Sequence, residues 1–455
     1  MNMERKTTPD YDLLIVGAGP AGYVAAIRAG QVGLKTALVE RDHVGGMCLN
    51  WGCIPTKAML ESARLLERIR QARQFGIDGI DESKLRLNWG AARDRASRVV
   101  QRLAGNIEVY LGRYGVETIR GEAELLAPTT VRVGRRVIEA GRVILATGSR
   151  PAPLPAAVPP ELALEIDGLF ALRALPASVA VVGQGPNAME LALLLKMAGS
   201  VVTLVSPAAT LLPMADPYLS TYALNRLRHQ GVRVLLEAVP TGGTAGGILV
   251  GEERILCERV LNAARRRAVI PKVEFELTLD DGFVFTDDYL QAGHSTLFAV
   301  GDVNGRSATA HAASAQGLHA VNVIQGVRWK LDARRYPLNI YTFPEIAQVG
   351  LTEPEIQARG IDYRVHEYPL AANAKALAEG NAEGFIRLLA ERRFGEVLGV
   401  QIVAAHATDM IAEAAAIIQA EGTVHDVARI AHAHPTVSEV FLEAGLAALG
   451  RPLHE

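Results

Sequence analysis

Cysteine is scarce in this chain, with three among 455 residues. That leaves no framework of paired bridges and no set of four sulfur ligands for a structural zinc site. Charge of a single sign is lacking too: 47 basic against 49 acidic side chains give a formal net charge of −2, which argues against a general nucleic-acid binder. No stretch approaches the eighteen or so apolar residues that a membrane helix requires. The opening segment, Met1 to Asp10, is polar and of mixed charge without an apolar h-region, so no secretory signal is expected and the cytoplasm is the default compartment.

What is present begins with a large apolar fraction, 49%, alongside 43 glycines and 22 prolines. This suits about three domains at roughly 150 residues each. Two of the cysteines stand close together in Gly45-Gly46-Met47-Cys48-Leu49-Asn50-Trp51-Gly52-Cys53-Ile54-Pro55-Thr56-Lys57, whereas Cys257 lies far away and reads as structural. In a reducing compartment a close pair is more often catalytic or metal-binding than a staple. Metal lacks further sulfur ligands, and a bridge closing so short a loop removes little entropy from the unfolded chain. A short loop does let two sulfurs join and part without moving the fold, so the pair reads as redox-active. The bland alternative is two small buried hydrophobes.

Upstream, Tyr11 to Val16 reads as a buried strand, followed by Gly17-Ala18-Gly19-Pro20-Ala21-Gly22 and a helix from Tyr23 to about Val32. Gly17 permits a tight turn, Gly19 lets the backbone approach a pyrophosphate, and Gly22 allows close helix–strand packing. A second strand, Lys35 to Val39, ends in Glu40, an acid placed to bond a ribose 2′-hydroxyl. The ordered series predicts a dinucleotide site.

Together, the fingerprint, Glu40 and the cysteine segment resemble the opening of the flavoprotein disulfide reductases, the class I pyridine nucleotide-disulfide oxidoreductases. Within that family the Cys48–Cys53 segment is most similar to the dihydrolipoamide dehydrogenases. Later landmarks agree: Ala146-Thr147-Gly148-Ser149 after the strand Arg142 to Leu145; Leu297-Phe298-Ala299-Val300-Gly301-Asp302; Ala310-His311 with Gly317 beyond; and His432-Ala433-His434-Pro435-Thr436-Val437-Ser438-Glu439.

The resemblance implies FAD as the first dinucleotide, with Gly17, Gly19, Gly22, Glu40, Lys57, Gly121, Thr147, Gly148, Ser149, Asp302 and Ala310 around it. Asp302 would accept from a ribityl hydroxyl, or simply cap a helix. Lys57 would sit beside the flavin ring, paired with Glu190. Cys48 would exchange with substrate and Cys53 would lie against the flavin. Thiol exchange needs a thiolate and therefore a base; His434, oriented by Glu439, is the candidate. Pro435 favours an extended backbone at His434, and hence a loop position. His432 reads as a surface or capping residue. By resemblance, His434 of one subunit completes the site of the other, so the working unit would be a homodimer acting on a lipoyl-carrying protein or free dihydrolipoamide.

The second nucleotide site departs from the family. Val179 to Glu190 repeats the fingerprint with Gly183, Gly185 and Ala188, but the strand Val201 to Val205 ends in Ser206 where an acid would mark NAD, and no arginine follows to pair an NADP phosphate. Pro186 and Asn187 stand where the family has bulky apolar residues, and its Val-Gly-Arg-x-Pro segment reads Ala263-Ala264-Arg265-Arg266-Arg267. That arginine run suits a phosphate, an acidic carrier or plain solvation. Thr241 to Gly247 reads as a loop where a β-hairpin would stand, so the middle region looks trimmed. Two acceptor readings stay open. Either NAD binds through backbone donors at the helix N-terminus, with Ser206, Val239 and Ala264 as further contacts, or the flavin serves a non-nicotinamide acceptor. A tail without a cysteine pair disfavours mercuric reductase and large thioredoxin reductases; Ile54-Pro55-Thr56 disfavours glutathione reductase.

The expected fold is α/β: an FAD-binding domain over residues 1–150 and 272–333, an inserted NAD-type Rossmann-like domain over 151–271, and a C-terminal α+β dimerisation domain over 334–455. In the last, strands are expected at Phe385 to Leu389 and Val397 to Val403, with an apolar helix near Ala407 to Ala420.

Overall fold

Leu13-Leu14-Ile15-Val16 is apolar at every position, the pattern of a strand covered on both faces. The structure is a computed structural model that describes residues 8–244 and 246–454, so most of the polar opening segment and the final Glu455 lie outside the described residues. In it, Tyr11–Val16 is central to a parallel sheet, flanked by Thr36–Glu40 on one side and Arg136–Leu145 on the other. Glu117–Arg120 and Leu297–Ala299 extend the sheet outward. The Arg136–Leu145 strand is long enough to pair antiparallel with Thr130–Val133 as well, and Lys272–Val273 joins beside Ala123–Ala127. Segments before and after the middle region therefore share one sheet.

The first helix, Pro20–Gln31, starts directly after Gly19 rather than at Tyr23. Pro20 takes the first helical position, where its missing N–H costs nothing. The helix sits so close that a Cβ on Gly22 would lie 1.8 Å from the Gly17 carbonyl oxygen. At Gly17, φ is +101°, and a Cβ there would lie 2.4 Å from the Ala146 oxygen.

A second parallel sheet runs Arg233–Leu235, Val201–Val205, Ser178–Gly183, Arg259–Ala263, Ala163–Leu164. Beside it, the expectation of a loop at Thr241 to Gly247 fails: Pro240–Thr244, Gly247–Val250 and Glu253–Leu256 form an antiparallel meander. Its glycines record crowding rather than looseness. A Cβ on Gly243 would sit 2.4 Å from Pro159 Cγ, and one on Gly247 would sit 2.0 Å from the Ile255 oxygen.

The C-terminal region is a five-stranded antiparallel sheet in the order Leu338–Ile340, Glu345–Gly350, Val397–Ala404, Phe385–Glu391, Tyr363–Pro369. Helices Ala407–Gln419 and Glu439–Ala448 cover it, burying Ile386, Leu388, Ile402, Met410 and Phe441 in one core. Each such side chain contributes about 1.5–3 kcal/mol. A separate core joins Met59, Leu60 and Ala63 of helix Cys53–Arg70 to Leu191 and Leu194 of helix Pro186–Ala198 and to Ile346 and Phe385 of the C-terminal sheet. One helix, with Cys53 at its first residue, is thus wedged among all three regions. Among the described residues, no helix is long and apolar enough to cross a membrane.

Candidate active site

The C-terminal ends of the first sheet's strands open on a cavity of about 630 Å³, within the range of cofactor sites. Gly17, Gly19, Glu40, Cys48, Cys53, Thr147, Gly148, Ser149, Asp302 and Ala310 all line it. Helix Pro20–Gln31 and helix Ala310–Ile324 both begin at its wall, so two sets of unsatisfied N–H groups face inward, an arrangement that attracts phosphate. Around Gly19 and Gly148 there is open space where a Cβ would stand, and the Thr147 hydroxyl is buried without a partner. These features fit a dinucleotide. Residues 17–22 would hold its pyrophosphate and Thr147 would meet one of its polar groups.

Glu40 marks the ribose end. Its carboxylate accepts from Ala18 N at 2.7 Å and from Asp42 N at 2.7 Å, which fixes its direction and leaves each oxygen a free lone pair. Gly121 donates its N–H to the Glu40 carbonyl at 3.0 Å, which places it beside the acid although it does not line the cavity. At the other end Asp302 lies in the short 3₁₀ turn Gly301–Asn304 and accepts from Ser149 Oγ at 2.5 Å. It caps no α-helix; Thr309 occupies the cap position of the helix that follows.

Arg266 changes the reading of the arginine run. Its Nε donates to Ser149 Oγ at 2.6 Å and its Nη2 to the Ser149 carbonyl at 2.5 Å, with Asp302 Oδ2 at 3.4 Å. Far from being solvated, it is 17% exposed and lines the cavity, while neighbouring Arg265 pairs with Asp281 on the outside. The pairing of Arg266–Ala268 with Ser149–Pro151 turns alternate side chains in and out. Three identical letters hid that alternation in the sequence.

The cysteines sit on the short helix Gly46–Asn50 and at the first residue of the long helix Cys53–Arg70. Both are partly buried, free thiols. The hydrogen bond from Cys48 to the Cys53 sulfur, aided by the Lys57 ammonium, outweighs burial and holds Cys53 below the ordinary thiol range. The same bond, with burial and the charge on Cys53, pushes Cys48 up. Trp51, between them, lines the cavity and meets the edge of His43 at 5.6 Å. Its place inside the cysteine loop was the one hint the sequence held.

Lys57 follows one helical turn after Cys53. Its Nζ donates to Glu190 Oε2 at 2.6 Å and lies 4.4 Å from the Tyr341 ring centre, and Tyr341 N donates to Glu190 Oε1 at 3.0 Å. Burial works against the Lys57 charge, but Glu190 and the Cys53 sulfur more than compensate and hold its pKa above the usual lysine value.

The second fingerprint is less complete. Gly183 is crowded by the Ala263 oxygen, 2.1 Å from where a Cβ would stand, and Ala188 is buried against it. Gly185 caps helix Pro186–Ala198, and Asn187 is exposed at the cavity wall. Ser206 does not face a ribose. It is fully buried, and its hydroxyl is tied up locally with both the N–H and the carbonyl of Ala208 at 3.2 and 3.3 Å. The Ala264 N–H is likewise held by Asn262 Oδ1, and Val239 is exposed.

His434 lies in a bend ahead of helix Glu439–Ala448, its Nδ1 2.9 Å from Glu439 Oε1. Glu439 is held below the usual carboxylate range by the Thr436 N–H and then by His434. The ring is 74% exposed and does not line the cavity that holds the cysteines. One chain therefore does not bring His434 to Cys48. His432, expected as a surface or capping residue, is instead stacked on Phe441 with Nε2 2.8 Å from Glu413.

Comparison with known proteins agrees with this geometry. Residues 11–317 match the pyridine nucleotide-disulphide oxidoreductase family, and residues 336–445 match that family's dimerisation domain. The dihydrolipoyl dehydrogenase of Bacillus subtilis is 35% identical over 98% of this chain and 99% of its own length. That of Geobacillus stearothermophilus is 33% identical over 97% of each. The crystal structure of LpdA from Mycobacterium tuberculosis superposes with a TM-score of 0.87 at 26% identity, covering 96% of this chain and 99% of that one. With its nucleotide-binding sheets, cysteine pair and C-terminal sheet all inside the matched regions, the chain belongs to the pyridine nucleotide-disulphide oxidoreductases.

Proposed function

We propose that the protein is a dihydrolipoyl dehydrogenase: a cytoplasmic, homodimeric flavoenzyme that oxidises dihydrolipoyl groups, on a carrier protein or as free dihydrolipoamide, and delivers the electrons to NAD⁺. The observation that carries this reading is the asymmetric thiol pair in the wall of a dinucleotide-sized cavity, with Cys48 kept protonated and Cys53 favoured as thiolate. Bound FAD would supply the two-electron relay between that pair and the nicotinamide.

The chain's own residues account for the exchange. Starting from a Cys48–Cys53 disulfide, a substrate thiolate attacks the Cys48 sulfur, the S–S bond breaks, and Cys53 leaves as a thiolate stabilised by Lys57. The second substrate thiol gives its proton to a base and attacks the mixed disulfide. Its product closes into a ring, and Cys48 leaves and takes a proton. Two electrons have then passed to the protein, which ends with Cys48 protonated beside an anionic Cys53, the arrangement that the upward push on Cys48 and the downward pull on Cys53 favour. The base is the partner subunit's His434, since within one chain this imidazole stands outside the cavity. Glu439 fixes its Nδ1 and leaves Nε2 to take the proton.

The test is anaerobic mixing of purified holoprotein with dihydrolipoamide and NAD⁺, following NADH. Cys48→Ser should retain flavin and lose dithiol oxidation; retained turnover would sink the relay. His434→Gln should slow dithiol oxidation by about 10²–10⁴, and an unchanged rate would remove it as base. The altered second fingerprint, with Ser206 turned inward, favours one rival: a flavin electron-transfer partner with another acceptor. It would be reduced by dihydrolipoamide but not reoxidised by NAD⁺.

A further inference from the structure

The strand Val201–Val205 ends without an acid, yet a carboxylate stands one strand away. Arg233–Leu235 is its parallel neighbour at the sheet edge, and the chain leaving it passes through Glu237. Three backbone bonds lock the two strand ends together: Ser206 N to Leu235 O at 2.8 Å, Ala238 N to Ser206 O at 2.8 Å, and Glu237 N to Ala208 O at 3.0 Å. They hold Glu237 at φ +52°, a left-handed conformation that is unfavourable for a residue with a side chain and that persists only where surrounding structure imposes it. Its carboxylate is exposed, with no hydrogen bond or ion pair among the described residues. It lies at the C-terminal edge of a parallel sheet, on the side from which helix Pro186–Ala198 starts, where open α/β sheets receive their nucleotides.

We infer that Glu237 is the residue that selects NAD over NADP, doing from the neighbouring strand what the acid missing at position 206 would do. A carboxylate there accepts from the adenosine ribose hydroxyls and repels a 2′-phosphate. Neither adjoining connection, residues 206–215 or 236–241, holds a lysine or arginine that could pair such a phosphate. The backbone constraint explains why the acid sits here. With Ser206 folded inward onto Ala208, the strand end itself has no side chain left to offer. This inference rests on the reading of NAD⁺ as acceptor.

Calorimetric titration of the FAD-loaded protein with ADP-ribose and with its 2′-phosphate tests it without turnover. The wild type should prefer ADP-ribose by at least about thirtyfold. Glu237→Gln should weaken ADP-ribose about tenfold, and Glu237→Arg should reverse the preference, with flavin content and circular dichroism confirming that each variant is folded. If the wild type discriminates and Glu237→Gln binds ADP-ribose as the wild type does, this inference is overturned while the NAD⁺ reading stands. If the wild type binds neither ligand, both fall.

Discussion

Removing either member of the Lys57–Glu190 pair should destabilise the protein unequally, and the inequality can be worked out from the site. Glu190 is 2% exposed and has two donors, Lys57 at 2.6 Å and Tyr341 N at 3.0 Å. Lys57→Met leaves that carboxylate buried without countercharge. Stripping one partner from a buried pair costs roughly 3–5 kcal/mol, and the lower end, about 3, applies because the Lys57 side chain is 28% exposed and water can reach the vacated space. Glu190→Gln is milder. The amide oxygen still accepts from Tyr341 N, and the ammonium keeps its place over the Tyr341 ring, a contact of about 1 kcal/mol, so about 1–2 kcal/mol is lost. With 455 residues the unfolding entropy is about 1 kcal/mol per kelvin. Tm should therefore fall about 3 °C for Lys57→Met and about 1–2 °C for Glu190→Gln. The double variant carries no buried charge and should resemble the milder single, giving a coupling of about 3 kcal/mol in magnitude. Scanning calorimetry at fixed protein and saturating FAD is the assay, since cofactor and oligomer both move Tm. Fully additive losses, or a Lys57→Met change under about 1 °C, would refute the reasoning.

Three shorter expectations accompany it. Gly17→Ala should yield protein purified with little flavin, because its Cβ meets the Ala146 oxygen at 2.4 Å in a left-handed conformation; a full flavin content would contradict the crowding argument. Arg266→Met removes charge-assisted bonds to Ser149 that hold the Asp302 side of the cavity, so FAD should bind about tenfold more weakly; an unchanged dissociation constant would make the contact incidental. Burial lowers the pKa of His319, so the unfolded chain binds the proton more readily. The stability this imidazole confers is complete above its ordinary pKa near about 6.5 and is lost as pH falls below that toward the folded value. His319→Asn should flatten the fall of Tm across that range, and an identical slope in the variant would exclude His319 as the cause.

Much of the first region was legible because its signals are local. A strand, three glycines, a helix and an acid follow one another within thirty residues, each fixed by its own sterics. The cysteine loop was legible for the same reason. The arginine run was not, since whether Arg266 points in or out depends on its pairing with Ser149–Pro151, more than a hundred residues earlier. The meander at Pro240–Leu256 is not legible in sequence because Gly243 and Gly247 look permissive there, and only Pro159 and Ile255, brought close by the fold, show them to be obligatory. Ser206 is ambiguous in the sequence because a serine's hydroxyl can serve a ligand or its own backbone, and the choice is made by the turn at Ala208.

The shared sheet has a consequence for how the protein is made. Strand Arg136–Leu145 is bordered on its outer side by Leu297–Ala299, and the cavity wall is closed by Arg266, Asp302 and Ala313. A chain emerging from the ribosome has therefore translated more than 300 of its 455 residues before the nucleotide cavity exists at all. Until then the nascent first region carries an unpaired apolar strand edge, the kind of surface on which chains aggregate. The middle region draws its own parallel sheet from residues 163–263 alone, so it has all its strands in hand while the nucleotide site still awaits segments from the far side of the insertion.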